Sequence, residues 1–61
     1  MREVKLIVYN NALYLFDIHH VKIIPMVGDK INYNGKSYEV YRRYVEYDDI
    51  TENWVINVKE I

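Results

Sequence analysis

The sequence predicts an all-β domain, a small barrel or rolled antiparallel sheet of about five to six short strands. Three observations carry that expectation. Tyrosine occurs seven times, Val and Ile are abundant, and there is a single alanine and only three leucines. β-Branched and aromatic side chains suit a pleated surface, and good helix formers outside the charged residues are scarce. Turn signals recur at short intervals, at Asn10-Asn11, Gly28-Asp29, Asn34-Gly35 and Asp48 to Glu52. Between them apolar residues alternate with polar ones, the period of two that marks a strand.

The first strand is expected over Glu3 to Tyr9, with Val4, Leu6 and Val8 on one side and Lys5, Ile7 and Tyr9 on the other. Asn tolerates the left-handed backbone of a two-residue hairpin turn, so Asn10-Asn11 should turn the chain into a second strand, Ala12 to Ile18. That register pairs Tyr9 with Ala12, Val8 with Leu13, Ile7 with Tyr14 and Leu6 with Leu15. Leu6, Val8, Leu13 and Leu15 then form a core face. Ile7, Tyr9, Tyr14, Phe16 and Ile18 form an outer face that is also apolar and aromatic. A sheet covered on one side only is normally polar outside, so this face should be covered by something.

His19-His20 interrupts the pattern, Val21 to Ile24 is another short apolar run, and Pro25 ends it by removing a backbone donor. Lys30 to Tyr33 should be a strand with Ile31 inward, turning at Asn34-Gly35, the strongest hairpin signal in the chain. Ser37 to Tyr47 reads as one long strand whose parity changes, because Tyr38 and Val40 share one phase while Val45 and Tyr47 have the other. An inserted residue, a β-bulge near Arg42-Arg43, restores a common face and bends the strand. Asn53 to Lys59 closes the domain with Trp54, Ile56 and Val58 inward and Val55, Asn57 and Lys59 outward.

Length and charge bound the rest. Sixty-one residues make one domain, with an amino-terminal hairpin over about 3–18 and a barrel-like part over about 21–59. A chain of this size buries only about 60% of its unfolded surface, so a staple is expected. With no cysteine, disulfides and thiolate metal sites are excluded, which leaves self-association or a histidine-based metal. The net charge of −1 argues against duplex nucleic acid as a partner. Arg2, Glu3 and Lys5 lie where a signal peptide would be apolar, and no apolar run approaches the roughly 20 residues of a membrane span. The expectation is a cytoplasmic protein that does not engage the membrane.

Pro25, Gly28-Asp29, Ile31, Gly35, Tyr38, Val40 and the closing Trp54, Ile56 and Val58 resemble the core layout of small SH3-like barrels, over about Pro25 to Val58. Short barrels of this style are encoded by phages and mobile elements. SH3-like barrels serve many functions, so the resemblance implies a fold and selects no activity.

Chemistry-bearing groups are few. Asp17, His19 and His20 are metal-ligating types, but in an extended segment the two histidines face opposite ways and no further ligands match them, so no metal is expected. Ser37 has no nucleophile signature. Glu46, Asp48, Asp49 and Glu52 cluster in a predicted turn, where solvated acids belong. Both glycines are turn residues, and there is no phosphate loop. No cofactor and no catalytic activity are expected. Arg42-Arg43, set at the bulge between Tyr41 and Tyr44 with Tyr33 near by, are the ligand-binding candidates. Arginine grips anions and stacks on rings, and tyrosine offers a flat face and a hydroxyl. The bland alternative is an exposed arginine pair balanced by Glu39 and Glu46.

Three functions follow as expectations. The first is a homo-oligomeric module joined through Ile7, Tyr9, Tyr14, Phe16 and Ile18 that binds a small anionic ligand, in its concrete form a phage-type sponge sequestering a nucleotide signal to evade host immunity. The second is an adaptor or inhibitor bound to a host protein. The third is a single-stranded nucleic-acid binder, against which the near-zero charge counts.

Overall fold

The computed structural model describes residues 2–61. Five strands form: β1 (Glu3–Asn10), β2 (Leu13–Ile18), β3 (Lys30–Tyr33), β4 (Lys36–Tyr47) and β5 (Thr51–Glu60). They make one curled sheet in the order β2-β1-β5-β4-β3, a half-barrel. The all-β class and the curl are as the sequence predicts. The sheet is mixed rather than wholly antiparallel, because β1 and β5 run parallel from Glu3↔Thr51 to Asn10↔Val58. This pairing places the amino-terminal hairpin in the same sheet as the rest and makes β5 central. Within its apolar run Trp54-Val55-Ile56, Val55 and Ile56 are both buried although consecutive strand side chains point to opposite faces. Residues 19–29 contain no strand, so the apolar run Val21 to Ile24 is a connection. It is held at one end by Val21 N donating to Val4 O at 2.9 Å. Among the described residues no helix is long and apolar enough to cross a membrane.

The β3–β4 hairpin turns at Asn34-Gly35, with φ of 51° and 79°, the left-handed pair a type I′ turn requires. The β1–β2 hairpin departs from expectation. Its turn is Asn11-Ala12, with φ of 50° and 67°, so Asn10 pairs with Leu13 and Tyr9 with Tyr14. A left-handed alanine costs about 1–2 kcal/mol. The ladder then slips by one residue, leaving Leu15 unpaired: Val8 faces Phe16, Ile7 faces Asp17 and Leu6 faces Ile18. The reason is the polarity of Asp17. Continued without a slip, the observed turn would set Asp17 opposite the buried Leu6 and Phe16 opposite Ile7. Burying an unpaired carboxylate costs several kcal/mol. The bulge turns Asp17 outward and Phe16 inward.

The bulge in β4 falls one residue before its predicted place. Val40 pairs with Val58 and Arg42 with Asn57, leaving Tyr41 unpaired. As predicted, it reconciles the two parities. Tyr38 and Val40 before it, and Arg43, Val45 and Tyr47 after it, share the concave face with Trp54, Ile56 and Val58.

The core lies on that concave face. Leu6, Val8, Tyr38, Val40, Ile56 and Val58 are buried, with Leu15, Phe16, Val21, Ile31, Tyr33 and Trp54 packed around them. Val8, Val40, Ile56 and Val58 are almost completely enclosed, each contributing about 1.5–3 kcal/mol of apolar burial. The outermost strands β2 and β3 approach each other through side chains. The Phe16 and Tyr33 rings stack with centroids 4.4 Å apart. The radius of gyration of 11.4 Å exceeds the about 10.5 Å typical of a compact chain of this length, in keeping with an unsealed barrel.

Candidate interaction face

The two bulges and the strand order assign every side chain of the central strands to one of two faces. On the outer face the ladders align Tyr14, Tyr9, Asn57 and Arg42 in one row across β2, β1, β5 and β4. The next row is Asp17, Ile7, Val55 and Tyr44, and beyond it lie Lys5, Asn53 and Glu46. With strands about 4.8 Å apart, four residues in a row span about 14 Å.

Side-chain contacts stiffen this surface. Tyr9 and Tyr14 meet edge to face, with centroids 6.2 Å apart and planes at 76°. The Arg42 guanidinium lies 5.7 Å from the Tyr44 ring centroid, within reach of a cation–π attraction. The Tyr14 hydroxyl donates to Asp17 Oδ1, and Lys5 Nζ lies 3.7 Å from Asp17 Oδ2. The Tyr14 hydrogen bond holds the Asp17 carboxyl below its ordinary pKa, with Lys5 and His19 adding to the effect against some desolvation. The same bond raises the Tyr14 phenol. Val55 is buried although it points outward, flanked in the ladder by Ile7 and Tyr44. The face therefore has a solid apolar base with exposed Tyr14, Tyr44 and Arg42 around it.

The predicted ligand set does not converge. Arg42 and Tyr44 lie on the outer face, while Arg43 is half-buried on the concave face. Its Nη1 donates to the Pro25 carbonyl at 3.4 Å, and its guanidinium sits 4.9 Å from the Trp54 ring centroid. Arg43 thereby ties the 19–29 segment to the sheet. Tyr33 is stacked on Phe16, and Tyr41 is the exposed bulge residue. The predicted interface set also divides. Ile7, Tyr9 and Tyr14 share the outer face, but the β2 bulge turns Phe16 and Ile18 to the concave side. Asn57, which links Tyr9 to Arg42, emerges only once β1 and β5 are known to be neighbours.

Several other polar groups are engaged locally. His19 Nδ1 lies 2.6 Å from Glu3 Oε2, and its Nε2 lies 3.4 Å from Asp17 Oδ2, which pins the exit of β2 to β1. Among the described residues no three of His, Asp and Glu are grouped so as to hold a metal ion. Asp48 Oδ1 accepts the Ile50 and Thr51 amides at 2.9 and 2.7 Å, a turn cap, and the Thr51 side chain together with these amides lowers the Asp48 pKa. Glu52 accepts from Trp54 Nε1 at 2.7 Å, and Ser37 Oγ donates to Asn32 Oδ1 at 2.8 Å. Glu39 faces Lys59 across the β4–β5 ladder. No cavity is present among the described residues.

No protein-family model, curated protein or solved structure matches this chain. The small all-β half-barrel is loosely compatible with an SH3-like barrel.

Proposed function

We propose that this chain is a non-enzymatic binding module that docks its outer sheet face against another protein, as an adaptor or an inhibitor. The observation that carries this reading is the convergence of Tyr14, Tyr9, Ile7, Val55, Tyr44 and Arg42 on one open, cavity-free surface. Tyrosine and arginine are the residues that most often dominate interface energies, and an open face suits a macromolecule better than a small ligand. An ordinary interface takes about 800 Å² from each partner, under a fifth of this chain's 4407 Å².

A second reading rests on the Arg42–Tyr44 pair beside Asn57 and Tyr9. Ring, guanidinium and amide together are the parts that hold an anionic nucleotide by stacking and charge. A phage-type sponge would use them with a second copy closing the pocket, in the host cytoplasm.

Affinity capture from the protein's own cells compares the wild type with Tyr44→Asp and Arg42→Ala, each checked for an unchanged circular dichroism spectrum. One protein retained by the wild type and lost with Tyr44→Asp is the expected result. Retention that ignores both substitutions contradicts the docking face. A nucleotide adduct in native mass spectrometry that depends on Arg42 replaces the first reading with the second.

A further inference from the structure

Among the described residues neither edge strand of the sheet, β2 or β3, has a strand paired on its outer side, and the two edges differ. β3 is four residues long and carries Lys30, a short charged edge of the kind that resists pairing. β2 is longer, with sequence Leu-Tyr-Leu-Phe-Asp-Ile. It has no proline and no lysine, and Leu13, Tyr14 and Ile18 are 67%, 52% and 42% exposed.

The bulge gives β2 an unusual symmetry. Leu15 and Phe16 both pack against the core, Leu13 and Ile18 lie on the concave side opposite Asn10 and Leu6, and Tyr14 and Asp17 point outward opposite Tyr9 and Ile7. From Leu13 to Ile18 the order is in, out, in, in, out, in. That order is the same read backwards, whereas a regularly alternating six-residue strand would present opposite faces to its own reverse.

The geometry points to β2 pairing antiparallel with β2 of a second copy, about a two-fold axis between Leu15 and Phe16. This register sets Leu13 opposite Ile18 of the second copy and Leu15 opposite Phe16, all on the concave side. On the outer side Tyr14 meets Asp17. The phenol donor and carboxylate acceptor that now bond within one strand would also be complementary between strands. The two sheets become one of ten strands, and both copies' exposed Leu13 and Ile18 acquire apolar neighbours. An isologous contact of this kind closes on itself as a dimer. It supplies the self-association a small cysteine-free chain needs, and it sets two outer faces side by side. The inference concerns the strand edge and stands whatever the outer face binds.

Because the chain has no cysteine, disulfide trapping reads the register directly. Residues 13 and 18 of one strand are about 17 Å apart, too far for a bond within one chain. Leu13→Cys/Ile18→Cys under mild oxidation is expected to give a covalent dimer, while Leu13→Cys alone stays uncrosslinked. Light scattering on the wild type should give twice the 7.4 kDa chain mass, falling to one chain mass in Leu13→Lys/Ile18→Lys with an unchanged circular dichroism spectrum. A monomeric wild type at millimolar concentration overturns the inference. So does a single Leu13→Cys variant that crosslinks as fast as the double, which would mean another register.

Discussion

The two faces of this sheet are built from the same kinds of residue and do opposite things. On the concave face Tyr38, Phe16, Tyr33 and Arg43 are consumed by packing: the tyrosine is buried, the two rings stack, and the arginine lies against Trp54. On the outer face Tyr14, Tyr44 and Arg42 present comparable chemistry to solvent. Arg42 and Arg43 are adjacent in sequence and end on opposite sides. Residue type therefore does not distinguish a binding group from a structural one here. The phase of the strand does, and two bulges set that phase.

The largest effect should come from the concave side. Ile56→Ala removes an almost fully enclosed side chain and is expected to cost about 2–5 kcal/mol. A chain of this length commands about 3–9 kcal/mol in total, so urea titration should find the unfolding midpoint of the variant strongly lowered. Arg43→Ala should cost about 1 kcal/mol through loss of the Trp54 contact, with the same assay reporting a lower midpoint. Arg42→Ala should stay within about 0.5 kcal/mol of wild type, as for a surface change. Equal losses from the two arginines would erase the distinction between the faces.

Acid provides a milder test. Asp17 and Asp48 both have lowered folded pKa values, through the Tyr14 hydrogen bond and through the side chain and amides of the turn ending at Thr51 respectively. A depressed carboxylate stabilises the fold above its unfolded pKa, and that contribution disappears as pH falls through the folded value. Stability should thus decline below about pH 4, and Asp48→Asn should flatten the decline while lowering stability at pH 7. An unchanged acid profile in Asp48→Asn would remove that turn from the account.

Much of this was legible in the sequence because it is local. Asn34-Gly35 turns the chain where the dipeptide says it should, β3 spans Lys30 to Tyr33, and the clash of parity between Val40 and Val45 foretold a bulge. The β1–β2 turn was misplaced because Asn10-Asn11 has the better intrinsic preference for left-handed backbone. Turning one residue later and inserting a bulge instead keeps Phe16 in and Asp17 out, a tertiary gain that propensity does not register. The parallel β1–β5 pair joins segments more than forty residues apart in sequence, and no short pattern encodes such a contact. The outer face depends on it, since Tyr9 and Arg42 are brought together only through Asn57.

The central claim is that phase, set by the bulges, decides which arginine and which aromatic side chains in the body of the sheet, away from its ends, are free to bind. Hydroxyl-radical footprinting read by mass spectrometry measures this residue by residue in solution. The account predicts fast labelling of Tyr14 and Tyr44, slower labelling of the half-buried Phe16 and Tyr33, and strong protection of Tyr38. Fast labelling of Phe16 alongside Tyr14 would mean that the β2 bulge is absent and that the strand keeps a single phase, with both rings on the outer face.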